Sequence, residues 1–129
     1  MDKTIHDVLL EYLEARAKVS SLAVLACHQD AVGLFEDYCD GYCTDFLEDE
    51  ELETFERSEF KGERFTEYFS AEFLDGVFFA DFISYFLPRK MLCGNDRIRR
   101  LARAILQCYS WCLENGHVKV DQDAPMTIN

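Results

Sequence analysis

Only two prolines and six glycines interrupt 129 residues, so the chain is told to stop or turn in very few places. Long stretches without breakers favour helices over many short strands, and apolar residues at steps of three and four support that choice along most of the chain. Ile5, Val8, Leu9, Tyr12 and Leu13 trace one face of a first helix over residues 4–27, with Asp7, Glu11 and Glu14 on the other. Ser20-Ser21 leaves two readings open, a break there or a helix running on to His28. Val32, Phe35, Cys39, Tyr42 and Phe46 set a second helix, with Asp30 as its expected N-cap. Residues 48–64 are dominated by acids around Leu52 and Phe55 and read as a solvated stretch with room for one helical turn, stopped at Gly62.

Further on, Phe65, Tyr68, Phe69, Phe73 and Leu74 suggest a short helix, and Asp75-Gly76 punctuates before an aromatic run over residues 77–87. Proline disfavours a helical residue before it, so this run is expected to end near Pro88. The last helix has the clearest pattern. Asn95 is its expected cap, Asp96 suits its positive N-terminal end, and Gly116 stands where a C-terminal glycine belongs. Ile98, Leu101, Ala102, Ile105, Cys108, Tyr109 and Cys112 form its apolar face; Arg99, Arg100, Arg103, Gln107, Ser110 and Glu114 form the polar one. A short strand over residues 117–120 and a tail complete the chain. With no internal repeat and no dividing linker, the expectation is one all-α domain over residues 1–129, its short tail at 116–129. It is a bundle of about five helices in which 77–87 packs against 96–115. A chain of this length buries enough surface for a core of its own.

Hydrophobic residues make up 49% and charged residues 29%, which is globular rather than disordered composition. Eleven Phe, six Tyr and one Trp imply a core built from rings, or an aromatic surface kept for a partner. The formal net charge of −12 opposes non-specific binding to nucleic acid. That charge is unevenly spread. Residues 36–81 hold 16 acids and 3 bases, whereas residues 82–107 hold 6 bases and 1 acid. The six bases are Arg89, Lys90, Arg97, Arg99, Arg100 and Arg103, the candidate contacts for phosphate or an acidic partner. The competing reading, which leads here, pairs them with the chain's own acidic half.

No stretch is long and apolar enough to span a membrane. The start, Met1-Asp2-Lys3 followed by Asp7, Glu11 and Glu14, lacks the basic opening and apolar run of a secretory signal. Val24-Leu25-Ala26-Cys27 looks like a lipoprotein cleavage box, but two serines interrupt the apolar run before it. The expected location is the cytoplasm, where Cys27, Cys39, Cys43, Cys93, Cys108 and Cys112 stay reduced. Cys39 and Cys43 share one helical face, as do Cys108 and Cys112. Core packing, a four-thiolate zinc site and a redox disulfide are the three readings. Packing leads because these thiols lie within apolar stripes and zinc favours tighter Cys-x-x-Cys knuckles. No metal or cofactor is expected. His6, His28 and His117 fall near element ends and read as surface or capping residues. The run Glu48-Asp49-Glu50-Glu51 with Glu53 and Glu56 lacks the alternating acids and central glycine of a calcium loop. No Ser-His-Asp set, phosphate loop or glycine fingerprint occurs, so no enzyme is expected.

One segment has a familiar outline. An aromatic helix ends in Phe86-Leu87-Pro88-Arg89-Lys90, a short turn follows, and Ile98-Arg99-Arg100 leads a helix closed by Trp111-Cys112-Leu113-Glu114-Asn115-Gly116. It resembles the last two helices of the N-terminal core-binding domain of tyrosine recombinases and phage integrases, best over residues 77–116 and loosely over 28–117. The resemblance implies an all-α, SAM-like helical bundle that grips duplex DNA with bases around that turn, here the same six residues. The family's long helix usually opens on a Ser or Thr cap; here Gly94-Asn95-Asp96 stands instead. Its catalysis resides in a separate domain for which this chain has no room. The expected function is therefore a non-catalytic protein-interaction or structural module that binds a protein partner or a second copy of itself. The alternative is a nucleic-acid-associated module without the recombinase's catalytic domain.

Overall fold

The computed structural model describes residues 3–90 and 94–118 and, within them, every side chain except those of Phe60 and Lys90. The chain is an all-α bundle; among the described residues the sole β-type pairing is an isolated bridge between Thr4 and Ser70.

Helix α1, Ile5–Ala17, begins with a capping box: Thr4 Oγ1 accepts from the Asp7 amide at 3.2 Å, and Asp7 Oδ2 accepts from the Thr4 amide at 3.1 Å. It ends before Ser20-Ser21, so the break, not the long continuous helix, is what forms. Ser21 then caps α2, Leu22–Tyr42, by accepting from the Val24 amide at 3.3 Å. Asp30 therefore lies inside α2 and is not its cap. A serine two turns upstream satisfies the orphan amides first.

A 3₁₀ turn, Cys43–Phe46, leads to α3, Asp49–Phe60, which replaces the expected solvated stretch with three turns of helix. Local chemistry explains this. The Glu48 and Glu51 carboxylates box the N-terminus, Asp49, Glu50 and Glu51 sit at its positive end, and Arg57 reaches Glu53 at 2.8 Å one turn back. Gly62, at φ +98°, supplies the left-handed residue that ends the run. The single turn α4, Phe65–Tyr68, and a 3₁₀ turn, Ala71–Phe73, follow; Asp75 then caps α5, Gly76–Asp81.

The aromatic run does not stop at Pro88. A π-helical segment, Phe82–Phe86, continues into α6, Leu87–Lys90, so residues 76–90 form one rod. The Leu87 amide reaches back five residues to the Phe82 carbonyl. This wider turn relieves the crowding that a proline ring imposes on the preceding helical turn. Helix α7, Asn95–Glu114, opens on Gly94 without a side-chain cap, which corrects the expected Asn95 cap. Its other end closes as a Schellman motif: Gly116 is at φ +73°, and the His117 amide donates to the Cys112 carbonyl at 2.8 Å. His117 and Val118 form a bend rather than a strand; residues 119–129 lie outside the described ones.

The core joins α1, α2, the 76–90 rod and α7. Phe35 stacks on Phe79 at 4.7 Å, and Phe79 meets Tyr109 of α7 at 5.0 Å, so the rod and α7 do pack together. Gly76 permits that approach: a Cβ there would lie 2.8 Å from Tyr109 Oη. A second ring cluster, Phe55 with Phe65, Tyr68 and Phe69, holds α3 and α4. Cys39, Cys43, Cys108 and Cys112 are buried within the core, and no three metal-binding side chains converge among the described residues. Burial, and then the hydrogen bond with Cys43, pushes the Cys39 thiol well above its ordinary pKa; for Cys108 the Cys112 contact acts first and burial second. Cys93 lies outside the described residues.

Candidate partner-binding groove

Helix α7 packs along the first half of α2, and the side chains between them are unequal in length. Helix α2 contributes Ala23, Val24 and Ala26, too short to fill the space; α7 contributes Ala104 and the long Arg97, Arg100, Arg103 and Gln107. The result is a groove of ≈ 510 Å³ with methyl groups on one side and guanidinium groups on the other, and Cys27, His28 and Asp30 also line it. Two exposed apolar side chains stand at the start of α2 and just before it. Leu22 is 86% exposed and Val19 is 73% exposed.

The six bases named from the sequence divide. Arg97, Arg100 and Arg103 share the groove. Arg99 points elsewhere and lies 4.0 Å from Asp96, both of them highly exposed. Arg89 belongs to the rod: its guanidinium carbon sits 3.9 Å over the Tyr85 ring, and Nη1 donates to the Tyr85 carbonyl at 3.1 Å. The Lys90 side chain lies outside the described ones.

Among the described side chains, none of these bases is neutralised by the acidic half. Arg97 of α7 reaches Asp30 of α2 at 3.3 Å, a partly exposed pair, and among the described residues none of the bases pairs with an acid of residues 36–81. The reason is geometric. The N-terminal half of α7 lies against residues 23–30, while the acidic half recruits its own arginines, Arg57 for Glu53 and Arg64 for Asp37 and Asp40. Arg100 and Arg103 make no ion pair among the described residues.

A second groove, ≈ 390 Å³, lies beyond Arg103 and Gln107, which line both. Arg16, from the last turn of α1, joins it with Ser110, Trp111, Glu114, Leu106 and Tyr12. Nothing in the sequence separates Arg16 from an ordinary basic residue at a helix C-terminus. Only the packing of α1 on α7 brings it to the site.

One histidine differs from expectation. His28 is buried in the middle of α2, with Nδ1 2.9 Å from Tyr12 Oη, which lies 3.4 Å from the Ala104 carbonyl. The chain His28 Nδ1–H to Tyr12 Oη–H to the Ala104 carbonyl satisfies all three groups. Burial, and then the positive charge of Arg16, lowers the His28 pKa below 6.5. His6 Nδ1 lies 2.8 Å from Glu36 Oε2, and Thr66 Oγ1 donates to that same oxygen at 2.6 Å. His117 stays at an element end, stacked on Trp111 at 5.3 Å. Away from the groove, Tyr42, Phe46 and Tyr85 leave aromatic surface uncovered at the far side of the bundle.

No protein-family model matches the chain, and no match was found among curated proteins or among solved structures. The arrangement itself supplies recognition chemistry. Forked guanidinium donors suit carboxylates or phosphates, and the facing methyl groups suit apolar side chains. No helix of the described residues is long and apolar enough to cross a membrane.

Proposed function

We propose that this chain is a protein-interaction module whose α2/α7 groove takes an acidic, amphipathic segment of a partner protein. One observation carries the reading: Arg100 and Arg103 line a methyl-walled groove and make no ion pair among the described residues, while Asp30 of the same lining pairs with Arg97. Ala23, Val24 and Ala26 make the opposite wall apolar, so the matching segment has acids on one face and aliphatic side chains on the other. A reducing compartment such as the cytoplasm suits the buried, free thiols of the core. The test is fluorescence anisotropy with a labelled helical peptide of alternating Leu and Glu faces, against a sequence-scrambled peptide. Saturable binding at tens of micromolar or better, weakened at least tenfold by Arg100→Glu with Arg103→Glu, is the expected result. Equal binding of the scrambled peptide, or none, refutes it.

A second reading has its own support. Arg97, Arg100 and Arg103 recur at three-residue steps along one helix and keep clear of the acidic half, as a phosphate-tracking element would. The net charge of −12 opposes that approach at long range, although screening over about 8 Å lets a local patch act at contact. Three phosphate contacts correspond to a log–log salt slope of about −3. In a mobility-shift titration on random duplex DNA, no binding below tens of micromolar at physiological salt is expected. Submicromolar, steeply salt-dependent binding that is lost on reversing these arginines would move the function to a nucleic-acid module of the recombinase core-binding type.

A further inference from the structure

We infer that Arg16 and Arg103 form an oxyanion clamp in the second groove, selective for a phosphate dianion. Arg16 is half-buried, and its Nε is shielded from solvent without a hydrogen-bond acceptor. A buried guanidinium donor left unmatched costs more than a neutral one, because desolvation falls on a charge. Among the described residues no acid forms an ion pair with it, and after burial its charge is the second cause that lowers the His28 pKa. Arg103 enters the same groove from α7, likewise without an ion pair. Gln107 and Ser110 add a neutral amide and a hydroxyl donor, while Tyr12 and Trp111, packed edge to face at 5.7 Å, supply a low-dielectric wall.

Two guanidinium groups with two neutral donors match a dianion carrying three acceptor oxygens better than they match a carboxylate. Glu114 is the one carboxylate of the lining; it is exposed and makes no ion pair with either arginine. It repels an incoming anion and sets the sign of one test below. The ordinary alternative is that Arg16 merely answers the negative end of α1, a role that predicts no response to anions.

The clamp rests on the groove reading in one respect. Because Arg103 and Gln107 line both grooves, an acidic segment lying along α2 and α7 would present a phosphorylated side chain to Arg16. The site itself stands on its own geometry. Its source of phosphate is either such an ester or a free phosphate, and the experiment separates the two.

The full chain is titrated, at constant ionic strength, with inorganic phosphate and with chloride, following the arginine Nε–H signals by NMR. Binding of a phosphoserine version of the acidic amphipathic peptide is compared with its serine counterpart. The clamp predicts a saturable shift of the Arg16 and Arg103 signals with phosphate alone, within about 50 mM. With an ester as its source of phosphate, it also predicts about tenfold tighter binding of the phosphopeptide. Arg16→Gln removes both responses. Arg16→Lys keeps the charge and the fold but loses the fork, so it loses most of the discrimination; Glu114→Gln strengthens phosphate binding. Arg97→Gln with Arg100→Gln weakens both peptides alike and leaves the phosphate response unchanged. No saturable shift, together with equal affinities for the two peptides, overturns the clamp. A shift with phosphate while neither peptide binds upholds the clamp and refutes the groove reading. A shift with equal peptide affinities upholds the clamp with free phosphate as its ligand and overturns the ester.

Discussion

Arg64, inside the acidic stretch, reaches Asp37 at 2.9 Å and Asp40 at 2.8 Å, whereas Arg100 on α7 meets no carboxylate within ion-pair range among the described residues. The two regions carry opposite charge and handle it in opposite ways. In the acidic region, charge closes the fold: Asp40 accepts from the Phe65 amide at 3.0 Å as well as from Arg64, and Asp49, Glu50 and Glu51 lie at the positive end of α3. In the α2/α7 region only the Arg97–Asp30 pair links the helices among the described residues, and Arg100 and Arg103 stand beside the groove without one. Charge density alone therefore does not mark a binding surface; what marks it is charge that the fold has left unmatched.

The comparison is most easily broken at Phe55. It is the one fully buried aromatic ring of α3 among the described side chains, and it packs on Phe65, Tyr68 and Phe69. Phe55→Ala is expected to cost about 3–5 kcal/mol in denaturant unfolding and to loosen α3 first. A loss below about 1 kcal/mol would show that the acidic helix is held by its charges rather than by this anchor. Asp40→Ala removes both the Arg64 contact and the acceptor for the Phe65 amide. Since Arg64 is 39% exposed, the ion pair is worth little and the amide more, giving about 1–2 kcal/mol. An effect equal to that of Asp37→Ala, which touches only the exposed guanidinium, would assign the loss to the ion pair instead.

His28 sharpens the comparison through pH. Its folded pKa lies below the unfolded value of 6.5, so between the two values the unfolded chain holds the proton and the folded chain does not. The folded state thus loses stability as pH falls below about 6.5, by at most about 1.4 kcal/mol per pH unit for one proton. Above that pH the term vanishes. His28→Gln should flatten the slope of stability against pH between 7.5 and 5.5 relative to the unaltered chain, as read by urea midpoints. An unchanged slope would place the proton-sensitive group elsewhere.

Much of the fold was legible and part of the site was not, for different physical reasons. Helix α7 shows in the sequence because Leu101, Ile105, Cys108 and Cys112 repeat against a polar face and Gly116 ends the run. Helix α3 is hidden because one apolar anchor among acids looks solvated, and the capping box and dipole that help start it leave no mark on hydrophobic periodicity. Asp30 and His28 were placed at a helix end because the pattern around Val32 is strong, while the Ser21 cap lies three turns earlier. Arg97, Arg100 and Arg103 were visible as a basic cluster. Their separation from Arg99 and Arg89 follows from where α2 packs, and the arrival of Arg16 depends on α1 meeting α7, neither of which is written in local sequence.

The smallest expected effect tests the comparison most directly. Changing Arg97, Arg100 and Arg103 together to Gln removes three long side chains from the groove but only one ion pair, the partly exposed contact of Arg97 with Asp30. Exposed pairs contribute roughly 0–1 kcal/mol, and glutamine keeps the helix propensity close to that of arginine, so unfolding free energy should move by no more than about 0.5 kcal/mol. Binding of the acidic amphipathic peptide should fall at least tenfold in the same protein, because the donors that recognise it are gone. Dissociation of the two readouts is the point. If stability instead falls by about 2 kcal/mol or more, these arginines serve the fold as Arg64 does, and the contrast between the two regions disappears.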